Sequence, residues 1–143
     1  MSAVSRARAF FDSNVLVYTD DLRDPTRNGQ ARALVREHLR AGSGVVSTQV
    51  LQEYFVAVTH RFKTNLDSAA ARRKVELFSE FDVVTPLVAD ILAAIDLHRN
   101  HGFSYWDALI VRAASKSGCQ VLLTEDMQHG QVFDGVRIVN PFL

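Results

Sequence analysis

The stretch "SYWDALIVRAASKSGCQVLLTED", Ser104–Asp126, joins a helical pattern to a short apolar strand. Ile110, Val111 and Ala114 follow Asp107 at i+3, i+4 and i+7, the spacing of neighbours on one helical face. The helix opens at Ser104 and stops before Gly118. It gives way to "QVLL", Gln120–Leu123, which ends on an acidic turn. A helix feeding a strand through a few residues is the repeating unit of an α/β sheet. The stretch also poses a chemical question. Asp107 lies on the apolar face, where an unpaired charge is costly, so it must be capped, paired or bound to a metal.

The same alternation extends along the chain. "RAFF" (Arg8–Phe11), "GVVS" (Gly44–Ser47), "FDVV" (Phe81–Val84) and "VRIV" (Val136–Val139) join Gln120–Leu123 as five strand-like runs. Helical patterns lie between them. One runs from Asp24-Pro25 to near Gly42, one from about Thr48 to Phe62, and one begins near Asp67. Another follows Thr85-Pro86, with Val88, Ile91, Leu92 and Ile95 at helical spacing. This order predicts an α/β fold with a central, mostly parallel five-stranded sheet flanked by helices. No linker divides the chain, so residues 1–143 read as one domain. In such sheets ligands gather beyond the carboxyl ends of the strands.

Composition narrows the chemistry. Sixteen basic residues balance sixteen acidic ones, so no general basic field exists and any nucleic-acid contact must be local. Cys119 is the single cysteine, which excludes an intrachain disulfide framework, fits a reducing cytoplasm and reads as a small core residue. The start, "MSAVSRARAFFDSN", lacks a secretory apolar stretch, and no window has the length of a membrane span.

Four carboxylates fall at one rim of the predicted sheet. Asp12 directly follows the first strand and Asp126 the fourth. Glu53 lies in the second turn of the helix after the second strand, on a face with Val50, Val56 and Ala57. Asp107 lies in the first turn of the last helix. Each has an ordinary structural reading. Asp12 caps the short helix after it, Glu53 is a solvated helix residue, Asp107 pairs with Ser104 in a capping box, and Asp126 and Glu125 are turn residues. Four caps or turns have no need to share a rim; a metal site does. Clustered acids raise one another's pKa, and a divalent cation reverses that effect. An oxygen-only set favours Mg²⁺ or Mn²⁺, the chemistry of metal-assisted phosphodiester hydrolysis.

Taken in order, "FFDSNVLVY", "TQVLQEY", "SYWDALIVRAA" and "CQVLLTEDMQHGQ" resemble the PIN-domain family of nucleases over nearly the whole chain, and "VRIVNPF" resembles a branch close to VapC-type toxins. The resemblance implies a single Rossmann-like PIN nuclease domain with an acidic pocket. It implies Mg²⁺- or Mn²⁺-dependent endoribonuclease activity, leaving a 5′-phosphate. Asp12, Glu53, Asp107 and Asp126 carry over as the catalytic, metal-holding set, with Asp12 and Asp107 the most direct ligands. Asn14 and Thr124 carry over as polar supports, and Thr-x-Asp favours Asp126 over Glu125. The toxin branch further implies a homodimer and a cognate antitoxin of a type II pair, whose tail covers the pocket.

The remaining residues are weaker candidates. Arg112, five positions after Asp107, is a candidate RNA contact or a solvated charge. Arg61 and Lys63 complement a helix end. Arg72, Arg73 and Lys74 read as helix surface. Tyr105 and Trp106 read as core or dimer contacts, with base stacking as the rival. His98 and His101 lack a zinc companion set, His129 reads as a loop residue, and Asp20, Asp21 and Asp24 read as loop and cap residues. Two other classes compete with the nuclease. One is a catalytically silent PIN-like module that binds RNA or protein. The other is a phosphoacceptor signalling domain, opposed by Lys116, which precedes the fourth strand instead of following one. A stand-alone RNA-processing nuclease is the alternative to the toxin.

Overall fold

The computed structural model describes residues 7–60, 64 and 66–143. The amino-terminal segment before Ala7, the helix end expected at Phe62, and Arg61 and Lys63 lie outside the described residues. The first strand, β1 (Ala9–Phe11), is wholly buried and leads into a short helix, α1 (Ser13–Tyr18). Helix α2 (Pro25–Ala41) starts where the Asp24 carboxylate accepts the Arg27 N–H at 3.1 Å, with proline in its first turn. It stops at Gly42, whose φ of 67° suits a residue without a Cβ. Strand β2 (Gly44–Ser47) runs directly into α3 (Thr48–His60). Then follow α4 (Ser68–Phe78), β3 (Asp82–Val84), α5 (Val88–His101), α6 (Tyr105–Lys116) and β4 (Val121–Leu123). The described chain closes with β5 (Val132–Phe133) and β6 (Val136–Val139).

The strands form one sheet in the order β3-β2-β1-β4-β6-β5, parallel except for the β5–β6 pair. The sheet therefore has six strands where the sequence pattern gives five. The extra strand is two residues long and turns back through Asp134-Gly135, both at positive φ, a tight hairpin connection. The chain moves from β1 to one side through β2 and β3, then crosses to the other side through β4. That reversal opens a crevice at the carboxyl ends of β1 and β4. Their register pairs Phe11 with Leu123, so the next residues, Asp12 and Thr124, emerge side by side.

Phe10, Phe11, Leu122, Leu123 and Ile138 fill the core with Tyr54 and Phe78 from the helices. Phe81 stacks on Phe11 with ring centroids 5.1 Å apart. Cys119 is buried, as expected of a core residue. Two helical faces stand out. On α5 the stripe of Val88, Ile91, Leu92 and Ile95 faces outward, with Val88 71% and Leu92 58% exposed, while Asp90, Ala94 and Leu97 are buried. On α3, Val50 is buried but Val56, grouped with it and Glu53 by spacing, is exposed.

Candidate active site

Asp12 ends β1 and caps α1: its Oδ1 accepts the Ser13 N–H at 2.7 Å. Its other oxygen, Oδ2, accepts a hydrogen bond from the Thr124 hydroxyl at 2.9 Å and a longer one from the Asn14 amide at 3.4 Å. Thr124 Oγ1 in turn accepts the Asp126 N–H and the Asn14 amide, each at 3.1 Å. The Asn14 amide also donates to Asp126 Oδ2 at 2.9 Å, and its carbonyl accepts the Glu125 N–H at 3.3 Å. Asn14 and Thr124 thus join the ends of β1 and β4, so the capping role of Asp12 coexists with a polar network. Glu125 turns away from this network: it accepts the Tyr18 hydroxyl at 2.9 Å and lies 3.9 Å from Arg27.

Glu53 and Asp107 approach from the helices. Glu53 is half-buried on α3, and its Oε1 is buried with no hydrogen-bond partner among the described residues. Asp107 is half-buried in the first turn of α6, where its N–H donates to the Ser104 hydroxyl at 3.1 Å. The Ser104 side chain also supports the Asp107 carboxyl, opposing the rise that burial imposes on it.

The acids sense one another. Burial pushes the Asp12 carboxyl up to about 7; hydrogen bonds from Thr124 and Ser13 oppose the rise, and the charges of Glu53 and Asp126 add to it. Burial also raises Glu53; hydrogen bonds from the Gln49 and Ser13 side chains oppose the rise, and the charges of Asp107 and Asp126 add to it. Asp107 is raised by burial and then by Asp126. The charges of Glu53 and Asp126 reach Asp12, and those of Asp107 and Asp126 reach Glu53, so Glu53 and Asp126 link Asp12 to Asp107.

Two observations bear on a bound metal. No three acidic, histidine or cysteine side chains among the described residues stand in an arrangement that holds an ion. The donor chemistry nevertheless suits a hard dication: the set is oxygen-only, three of its carboxyls are raised, first by burial and further by neighbouring carboxylates, and Glu53 Oε1 is buried without a partner among the described residues. A cavity of about 610 Å³ opens beside the set, lined by Ser13, Asn14, Tyr18, Glu53, Val56 and Asp126, among others.

Other candidates fall elsewhere. Arg112 donates to Asp90 at 3.0 Å, and Lys116 donates to the same carboxylate at 2.6 Å. Asp90 also accepts the Leu87 N–H at 2.8 Å, so this trio ties the start of α5 to α6. Its carboxyl is held down at about 2, first by the Leu87 bond, then by Lys116. Arg72 pairs with Glu76, while Lys74 pairs with Asp20, which also accepts the Tyr54 hydroxyl. His98 binds the Phe103 carbonyl, His101 packs on Phe133, and His129 accepts the Asn140 N–H. Trp106, read as a core or dimer contact with base stacking as the rival, is 60% exposed and so is not a core residue of the single chain. The Tyr18–Glu125 bond went unread, although both residues flank segments of the acidic pattern.

A model of the PIN domain matches residues 9–132. The chain belongs to the PIN-domain family. A search of curated proteins gives no match. Among solved structures, the chain is similar to VapC20 of Mycobacterium tuberculosis, described as a toxin that cleaves the sarcin-ricin loop. The identity is 20%, the match covers 82% of this chain and 89% of that one, and the TM-score is 0.62, a likeness of fold. The PIN architecture accounts for the mostly parallel sheet flanked by helices. No helix among the described residues is long and apolar enough to cross a membrane.

Proposed function

We propose that this PIN-domain protein is a metal-dependent endoribonuclease that hydrolyses RNA phosphodiester bonds. The observation that carries the reading is the network in which Asn14 and Thr124 hold the Asp12 and Asp126 carboxylates at the ends of two adjacent parallel strands, with Glu53 and Asp107 in electrostatic contact with Asp126. Asp12 and Asp107 would be the principal ligands of Mg²⁺ or Mn²⁺, with Glu53 and Asp126 completing the set. Such an ion, when bound, supplies neutralisation of phosphoryl oxygens and activation of the attacking water. The chain's own part is positional. Thr124 and Asn14 fix the Asp12 and Asp126 carboxylates, the Ser13 N–H holds the second Asp12 oxygen, and Glu53 presents an unpaired oxygen near the reacting phosphate.

The resemblance to the VapC branch and the VapC20-like fold favour a toxin of a type II pair, acting in the cytoplasm and silenced by an antitoxin. The outward apolar stripe of α5 supports the homodimer. The match over residues 9–132 supports a single domain across residues 1–143.

Incubation of the purified protein with RNA tests this reading. Cleavage that needs Mg²⁺ or Mn²⁺, leaves 5′-phosphates, and disappears in Asp12→Asn and Asp107→Asn is the expected result. RNA binding without turnover in any divalent cation would replace the nuclease with a silent PIN module.

A further inference from the structure

A second cavity, of about 530 Å³, shares Gln52 and Glu53 of α3 with the first. Thr48, Gln49, Thr85, Pro86, Trp106 and Leu109 complete its lining. Trp106 immediately precedes Asp107 in the first turn of α6. An indole 60% exposed beside a pair of mutually repelling carboxylates is unusual for a solvated surface, since it holds a large apolar ring in water. Tyr105 packs edge-on against the ring, with centroids 5.0 Å apart, and the Gln49 amide donates to the Trp106 backbone carbonyl at 3.4 Å, which ties α3 to the start of α6. The lining includes the first residue of α3 and a first-turn residue of α6, so the positive ends of two helices face a space with room for a phosphate-linked chain.

We propose that Trp106 is a base-stacking platform for the nucleotide next to the scissile linkage, and that single-stranded RNA crosses the acids from the Trp106 cavity to the Tyr18 cavity. This rests on the nuclease reading and adds the substrate form it takes. The acidic set grips one phosphate, and the indole receives the neighbouring base on its face. Every base has a π-face, so the contact selects unpaired strands without selecting sequence. A duplex, whose bases are already stacked, cannot offer one to the indole unless it first opens.

Trp106 is the only tryptophan in the chain, so its emission reports the contact directly. The protein, with Mg²⁺, is titrated with a single-stranded phosphorothioate RNA hexamer, and cleavage of the corresponding natural RNA is measured in parallel. Saturable quenching of the indole is expected. Trp106→Ala should raise KM about tenfold with a smaller change in kcat, and Trp106→Phe should keep most of the affinity. Cleavage by the wild type without quenching, or an unchanged KM in Trp106→Ala, would overturn the platform while leaving the nuclease intact. A loss that coincides with dissociation of a dimer in sedimentation would reassign the indole to a second copy of the chain. Neither binding nor cleavage of single-stranded RNA by the wild type would overturn the platform together with the nuclease reading.

Discussion

The Thr124 hydroxyl donates to Asp12 Oδ2 at 2.9 Å across 112 positions of sequence, and the Phe11–Leu123 strand pair immediately before them makes the bond unavoidable. The hydroxyl cannot wander, because it also accepts the Asp126 N–H and the Asn14 amide. It is a fully buried junction between the two strands that frame the crevice. In the proposed nuclease it acts through Asp12 and is a positioning residue.

Replacing Thr124 with valine keeps the shape and removes the donor. The Thr124 bond opposes the rise in the Asp12 carboxyl, so its loss raises that carboxyl further and leaves Asp12 more protonated near neutrality. Cleavage should fall about 10- to 100-fold, the range seen when a ligand loses its supporting bond. The acidic limb of the pH profile should move to higher pH, and Thr124→Ser should restore most of the activity. A fall in rate with an unmoved pH profile would assign Thr124 a packing role alone.

Asp12 also makes stability depend on pH. Its folded carboxyl is raised from 3.8 to about 7, so folding favours the protonated form. That contribution is fully present below 3.8 and lost as pH rises through about 7. The metal-free protein should therefore melt several degrees lower at about pH 8 than at about pH 5.5, with Glu53 and Asp107 acting in the same direction. Asp12→Asn should flatten this trend and melt above the wild type at the alkaline end. Added Mn²⁺ should raise the alkaline melting temperature of the wild type but not of Asp12→Asn, since binding to the folded state alone stabilises it. Thermal melts across pH, with and without the ion, check all three outcomes.

The parts of this molecule legible in the sequence are those set by local rules. Asp24-Pro25, Asp67 and Ser104 begin helices because a short polar side chain can take an orphan N–H there, and the β-branched runs become strands. Asp12, Asn14, Thr124 and Asp126 come together because strand ends in a parallel sheet share an edge. The orientation of α5 was not legible. Val88, Ile91, Leu92 and Ile95 and the set Asp90, Ala94 and Leu97 both recur at helical spacing. Periodicity alone favours the more apolar set. The choice goes the other way because Asp90 finds Arg112 and Lys116 on another helix, a long-range pairing that no window of sequence contains. The same pairing engages Arg112, the candidate RNA contact. The sixth strand escaped because two residues carry no period, although its Asp134-Gly135 turn was in plain view.

Asp90 should matter for stability and not for chemistry. It is 3% exposed, faces two cations and caps the Leu87 N–H. Removing it leaves Arg112 and Lys116 without their shared carboxylate and an N–H unpaired, at a cost of about 2–4 kcal/mol for Asp90→Ala. Its carboxyl is lowered from 3.8 to about 2, so its contribution is present above 3.8 and lost as pH falls toward 2. Denaturant unfolding at neutral pH should show the loss, and RNA cleavage below the melting transition should stay within about twofold of the wild type. A loss of activity without a loss of stability would instead place this trio in substrate contact.

Gly44 should prove irreplaceable for reasons of space. An added Cβ would meet Phe81 Cε1 at 2.2 Å and Cδ1 at 2.3 Å, closer than real contacts allow. The Phe81 ring is poorly placed to retreat: it stacks on Phe11, which stacks edge-on against the buried ring of His38, and it lies parallel to Phe78 at 6.5 Å. Gly44→Ala should destabilise the fold by about 1–3 kcal/mol, the usual cost of overpacking. The mechanism makes a sharper claim than the magnitude. In a Phe81→Leu background the ring is gone, and the same substitution at Gly44 should cost markedly less. Chemical denaturation of the two single variants and the double variant measures that coupling. Equal costs in both backgrounds would mean that the strand backbone at Gly44, and not the Phe81 ring, excludes a side chain.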